Sequence, residues 1–205
     1  AWVFDGETDA ENFASLSSAD QREVSREVAR RYLRKVYVDL VGPTIESYDH
    51  FSGACISRDK DTKYPVFSPI ADKAPETVLD VWVDAYPGTV QENAAPEVVF
   101  CDNGGEFRDE FAKHIKKAGG RIENAVQNAP QTNSREERLH FTLQGCMKAS
   151  MVEADAPTVK LWTSCGRHVT FNYQRLPDGR KDKKSPWERK NPNKKCKDVL
   201  VPWLC

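Results

Sequence analysis

Three carboxylates in this chain occupy positions where acids are either costly or exposed to a special turn. Asp39 interrupts the apolar run Lys35-Val36-Tyr37-Val38-Asp39-Leu40-Val41. Asp102 closes a second run, Glu97-Val98-Val99-Phe100-Cys101, and enters the turn Asn103-Gly104-Gly105. Glu137 stands near the start of a long helical pattern. An unpaired charge inside an apolar element is expensive. Acids delivered from separate rigid elements can instead converge on hard cations such as Mg²⁺, which prefer carboxylate oxygen. Two divalent ions ~3.5–4 Å apart can serve both ends of an in-line phosphoryl displacement, the attacking oxygen and the leaving oxygen.

Each acid alone also has an ordinary role. Asp39 could face solvent or cap the next turn. Asp102 could be an Asx-turn residue. Ser134-x-x-Glu137 fits a capping box, with the Glu reaching back to the N-cap amide. Glu136 is a rival carboxylate that points about 100° around the same helix. The order of the three acids, two at strand positions and one at a helix start, is what raises them above these separate readings.

The elements that must hold them read as follows. Ser18 to Arg34 has a helical pattern, with Val24, Val28, Ala29 and Leu33 on one face. Lys35 to Val41 reads as a strand, stopped by Gly42-Pro43. His50 to Ser57 and Tyr64 to Ile70 are two further strands, joined by the charged turn Arg58-Asp59-Lys60-Asp61. A helix starts at Pro75, with Val78, Leu79, Val81, Trp82 and Ala85 as its apolar face. After the strand 97–101, Glu106 to Ala118 reads as a helix closed by Gly119-Gly120. Arg121 to Val126 is a strand. The loop 127–132 precedes a helix from about Ser134 to Glu153, and a second helix follows Pro157. The order β-β-β-α-β-α-β-α-α predicts an α/β fold built on a mixed five-stranded sheet with helices on its faces.

Composition narrows the classes. A length of 205 residues suits one domain plus extensions. The hydrophobic fraction of 39% supports a packed core. No apolar run approaches the ~18–20 residues of a membrane span, and no secretory signal opens the chain. The start at Ala1 and the abrupt end at Cys205 read as a piece cut from a longer polyprotein or gene model. The six cysteines form no C-x-x-C pair, so no structural zinc site is expected here. The net charge of −1 conceals an acidic start and a basic stretch from Arg180 to Lys197. That stretch could neutralise phosphates or could be a solvated linker. The expected division is a helical extension over 1–34, a core over 35–177 and a basic tail over 178–205.

At these residues the sequence resembles the catalytic core of retroelement integrases, especially the Ty1/copia type, over roughly Val36 to Pro177. Val38-Asp39-Leu40-Val41-Gly42-Pro43 is similar to the family's D-x-x-G-P. Asp102-Asn103-Gly104-Gly105-Glu106-Phe107 matches its D-N-G-G-E-F. Pro130-Gln131-Thr132-Asn133-Ser134-Arg135-Glu136-Glu137-Arg138 is similar to P-Q-x-N-G-x-x-E-R, an alignment that selects Glu137 over Glu136. Glu137 lies 35 positions beyond Asp102, as in the D,D-35-E signature. Ser185-Pro186-Trp187-Glu188 resembles the downstream T-P-Y-E segment.

The resemblance implies an RNase H-like fold and a metal site of Asp39, Asp102 and Glu137 holding two Mg²⁺ or Mn²⁺ ions. It implies trimming of element DNA ends and attack of the new 3′ hydroxyl on a target phosphodiester. Asn103, Gln131, Asn133 and Arg138 would then lie against DNA, in a homo-oligomer acting in the nucleus or in an element particle in the cytoplasm. The chain departs from the pattern at Ser134 (family Gly), Leu139 (often Lys), His140 and Phe141, and no His-His-Cys-Cys module precedes Asp39. Two alternatives follow. One is a catalytically decayed or repurposed integrase-like domain that binds nucleic acid. The other is a ribonuclease H, which would use a further acid such as Glu76.

Overall fold

The computed structural model describes residues 15, 17–21, 32–124, 134–180, 182–197 and 200, and for 134–137 the backbone alone. Five strands form one sheet in the order β3-β2-β1-β4-β5. They are β1 (Lys35–Val41), β2 (Gly53–Asp59), β3 (Pro65–Ile70), β4 (Val98–Cys101) and β5 (Arg121–Asn124). The first three form an antiparallel meander. β4 and β5 then add parallel to the other edge of β1. Parallel pairing requires a crossover, and helices supply it. These are α1 (Pro75–Ala85) before β4 and α2 (Asp109–Lys117) before β5. The long α3 (Ser134–Glu153), α4 (Trp162–Arg175) and the short α5 (Pro186–Lys190) follow. This is the mixed five-stranded α/β sheet that the element order predicts.

Alternation along β1 divides the molecule into two layers. Val36 and Val38 point to one face, where they pack with Val78 and Trp82 of α1, Phe111 and Ile115 of α2, and Val99 of β4. Edge-on ring contacts, such as Trp82 to Phe111 at 5.2 Å between centroids, tie α1 to α2. The opposite face of β2 presents Ala54 and Ile56 to Leu139 and Leu143 of α3 and to Cys165 and Val169 of α4. Helices therefore cover both faces, and β2 is buried along its whole length.

Several boundaries differ from the sequence reading. The helical pattern expected over 18–34 has its described part at Ser18–Gln21, and 22–31 lie outside the described residues. Leu33, expected on that helix's apolar face, is in a left-handed turn with φ 66° and is buried in the first core layer. The strand expected from His50 begins at Gly53 and continues through Arg58 to Asp59, into the expected turn. Asp59 explains the extension. Its carboxylate accepts the N–H groups of Thr62 at 2.7 Å and Leu33 at 2.9 Å, so one acid closes the β2–β3 turn and anchors the entry to β1. The helix expected over 106–118 is split into a single 3-10 turn at Gly105–Phe107 and α2, with Arg108 extended between them. The split lets both Phe107 and Phe111 enter the core, with rings 5.3 Å apart. Gly119, at φ 89°, ends this segment as a stop signal should.

The basic stretch after Pro177 is folded against the core over its described part. Ser185 and Glu188 form a capping box at the start of α5. Arg189 bonds both Asp178 and Asp182. The Lys190 ammonium sits 4.8 Å from the Tyr32 ring centre and 4.1 Å from that of Tyr64. Arg189 and Lys190 are thereby committed to internal partners, unlike the residues of a solvated linker.

Candidate active site

Two of the three expected acids are brought together by strand register alone. β1 and β4 run parallel, with Tyr37 opposite Phe100. Continuing that register by two residues leads from Tyr37 to Asp39 and from Phe100 to Asp102, and the charge of Asp102 acts on Asp39. The period of two also puts each acid on the face of the aromatic residue preceding it in that register, and the Tyr37 and Phe100 rings meet 5.2 Å apart. β4 ends one residue before Asp102, so Asp39 is fixed within its strand while Asp102 is exposed at the start of a turn.

The turn is built around Asp102. Its Oδ1 accepts the Gly104 N–H at 3.0 Å, an Asx-type closure. The Arg108 guanidinium donates to the Asn103 carbonyl at 2.8 Å and braces the same turn. A Cβ at Gly104 would fall 2.5 Å from Glu106 Oε2, so a larger residue there would make the Glu106 carboxylate swing aside. The ordinary role of Asp102 as a turn residue is thus realised together with its place beside Asp39.

Asp39 is held from two sides. Its Oδ1 accepts the Leu40 N–H at 2.8 Å, and its Oδ2 lies 3.3 Å from His140 Nδ1 on α3. Burial pushes the Asp39 carboxyl above its ordinary pKa. The imidazole of His140, the Leu40 N–H and Lys73 oppose that rise, and the charge of Asp102 adds to it. A cation beside Asp39 and Asp102 would oppose that rise. The same pair of acids acts on neighbouring thiols. Burial and then the charge on Asp39 push Cys55 up to about 12, and burial, Asp102 and Glu106 push Cys101 up to about 12. Both thiols stay protonated at neutral pH and do not compete as thiolate ligands.

The other expected site residues fall as follows. Glu137 lies in the first turn of α3, one turn before His140, and its side chain is outside the described residues, as are those of Ser134 and Glu136. The capping box expected of Ser134 and Glu137 falls there too. Gln131 and Asn133 are outside the described residues altogether. Asn103 is exposed beside Asp102, and Arg138 is exposed near the start of α3. Glu76 is exposed in the first turn of α1, the helix that packs on the Val36 and Val38 face of the sheet. His140 was visible in the sequence only as a departure from the family pattern. The signal that could have found it is its spacing, one helical turn after Glu136 and Glu137.

Among the described residues, no group of three or more His, Cys, Asp or Glu side chains is arranged to hold a metal ion. The Asp39 and Asp102 carboxylates nevertheless fit a hard dication in donor chemistry and in their unfavourable mutual charge. A third carboxylate would come from the start of α3.

Two solved structures share this architecture. A chain of the simian T-cell lymphotropic virus intasome, solved in complex with PP2A regulatory subunit B56 gamma, superposes with a TM-score of 0.61 at 11% identity, covering 77% of this chain and 54% of that one. The catalytic core domain of BIV integrase superposes with a TM-score of 0.56 at 14% identity, covering 78% of this chain and 94% of that domain. The present chain therefore spans about half the length of the simian virus chain and most of the BIV core domain. Neither protein-family models nor curated proteins give a match to the sequence. The chain thus shares the fold of the BIV integrase catalytic core domain, a mixed five-stranded sheet with helices on both faces.

Proposed function

We propose that this chain is the catalytic core of a retroelement integrase, a metal-dependent polynucleotidyl transferase that trims the element's DNA ends and joins them to target DNA. The single observation that carries the reading is the parallel Tyr37–Phe100 register of β1 and β4, which two residues further on brings Asp39 and Asp102 close enough for the charge of one to act on the other. Glu137 stands in the first turn of its helix, one turn before His140, whose Nδ1 lies 3.3 Å from Asp39 Oδ2. The D-N-G-G-E-F and P-Q-x-N motifs support the Ty1/copia type.

In this reading Asp39, Asp102 and Glu137 hold two Mg²⁺ or Mn²⁺ ions. When bound, the ions lower the pKa of the attacking oxygen and stabilise the leaving oxygen. The chain's own part is positional. β1 and β4 set the spacing of two acids, the Asx turn fixes Asp102, and α3 brings the third. Asn103 and Arg138, both exposed, would contact DNA, with Gln131 and Asn133 in the segment before α3. The partners would be element ends and target DNA, bound by a homo-oligomer in the nucleus or an element particle in the cytoplasm. Among the described residues no helix is long and apolar enough to cross a membrane.

The test is joining of short duplexes carrying a free 3′ hydroxyl, in Mg²⁺ or Mn²⁺, by the chain fused to the flanking integrase segments of its element. Wild type should join DNA, and Asp39→Asn, Asp102→Asn and Glu137→Gln should each reduce the rate by at least about 100-fold, as loss of a group needed for transition-state charge does. A fused protein that binds the duplex but joins none, with an active integrase as control, would instead establish the non-catalytic alternative. RNA–DNA hybrid cleavage abolished by Glu76→Gln would point to a ribonuclease H.

A further inference from the structure

His140 is a side chain for which the metal chemistry above has no assigned use. Its imidazole is 13% exposed, and Nδ1 lies 3.3 Å from Asp39 Oδ2. The contact bridges two elements that share no sequence neighbourhood. How the imidazole gets there follows from packing. Leu139 and Leu143, spaced one helical turn apart, are 2% and 1% exposed. They seat α3 in the same apolar layer as Ile56, the residue paired with Asp39 across β1 and β2. Burying those two leucines sets the rotation of α3 about its axis. With that rotation, position 140 comes over the carboxyl end of β1, while Phe141 turns outward and is 79% exposed.

The two oxygens of Asp39 are then constrained by different elements: Oδ1 by the backbone N–H of Leu40, and Oδ2 by the imidazole from α3. Contacts at both oxygens restrict how the carboxylate turns, and a carboxylate oxygen has a second lone pair that a cation can use. We propose that His140 is a positioning residue, which locks the Asp39 carboxylate in its ligating orientation and ties that orientation to the seating of α3. The inference rests on the metal-site reading above and adds a residue to it. Groups that hold a ligand from behind commonly change metal affinity about 10–100-fold when removed.

The proposal specifies which imidazole nitrogen matters. The contact uses Nδ1, attached directly to Cγ. The amide nitrogen of asparagine is also attached to Cγ, whereas that of glutamine is one bond further out, near the place of Nε2. His140→Asn therefore keeps a nitrogen near the place of Nδ1, and His140→Gln moves it. Both are polar and of modest size, so a general loss of packing would affect them alike.

The experiment is equilibrium Mn²⁺ binding to the full chain, read from the electron paramagnetic resonance of free Mn²⁺, with thermal melts in EDTA recording folding. Expected are a Kd raised about 10–100-fold in His140→Ala, a similar rise in His140→Gln, and a Kd close to wild type in His140→Asn. Equal Kd values in Asn and Gln variants that both melt like wild type overturn the proposal, as does a tighter Kd in His140→Ala. Should the Ala variant fail to fold, the Asn and Gln comparison decides alone. Asp39→Asn separates the two levels of inference. If it binds Mn²⁺ as wild type does, the metal-site reading is wrong whatever His140 does. If it loses Mn²⁺, that reading stands and the His140 variants alone decide. Wild type that takes up no Mn²⁺ overturns both.

Discussion

Replacing Arg189 by Ala should destabilise the fold by about 2–3 kcal/mol at neutral pH, between the values for exposed and buried ion pairs. The guanidinium forms a fork with Asp178, at 2.7 Å from each of two nitrogens, and reaches Asp182 at 2.8 and 2.7 Å. The side chains of Arg189, Asp178 and Asp182 are 9%, 16% and 29% exposed, so solvent screens the cluster only in part. Removing the cation leaves the two carboxylates with only Arg180, whose Nε lies 3.3 Å from Asp178 Oδ2, as a counter-charge, which costs more than the lost bonds alone. Against a total stability of roughly 5–15 kcal/mol, that loss is large. The sign of the pH dependence is also determined. Burial would raise the pKa of Asp178, but the hydrogen bonds and charge of Arg189 outweigh it and hold the carboxyl below its ordinary value. The hydrogen bonds from Arg189 likewise lower Asp182. Groups depressed in the folded state stabilise it above their unfolded pKa of about 3.9, and that contribution is lost as pH falls through the lower folded values. Urea unfolding of wild type and Arg189→Ala at pH 7 and near pH 3 should show a gap that narrows with acid, and Arg189→Lys should lie between them because it keeps charge but not the fork. A gap under about 0.5 kcal/mol at pH 7, within the range of an ordinary surface substitution, or one that widens at acid pH, would refute the reasoning.

Two further outcomes follow from the two packed faces. A Cβ at position 166 would overlap the Phe67 ring, because Gly166 is the point where α4 lies directly on β3. Gly166→Ala should therefore cost about 1–3 kcal/mol through overpacking, despite alanine's better helix propensity. A melt at or above the wild-type temperature would show that the ring moves aside freely. Asp39→Asn should remove a stability loss that metal-free wild type suffers as pH rises from the ordinary aspartate range towards neutrality. The folded-state pKa of Asp39 is raised, mainly by burial, so the fold favours its protonated form and ionisation is resisted. Melting temperatures in EDTA between pH 4 and 7 measure this, and parallel curves for the two proteins would contradict it.

The backbone of the site was legible in the sequence, and most of its surroundings were not. β1 was expected at Lys35–Val41 and is found there, because a β-branched run ended by Gly-Pro leaves little choice. α3 was expected from Ser134 to Glu153 for similar reasons, and it too has those limits. Local pattern could not show that the segment between Phe107 and Phe111 would break helical geometry, since that break is made by two aromatic rings entering one core. Nor could composition show the fate of the basic stretch. Arg189 and Lys190 look like phosphate-binding residues until the fold brings Asp178, Asp182, Tyr32 and Tyr64 against them.

From the sequence alone came the identity and order of the acids, the strands that carry Asp39 and Asp102, and the resemblance that pairs them with Glu137. These are properties of residue type and spacing, which a chain carries before it folds. Tertiary structure decided which acid is buried, what touches it and which face of the sheet it shares. Asp39 and Asp102 are neighbours because β4 pairs parallel to β1 in one register, an outcome set by the crossover through α1. His140 reaches Asp39 because Leu139 and Leu143 fix how α3 is turned on the sheet. Contacts of that kind join residues about 100 positions apart, and short-range pattern has no access to them.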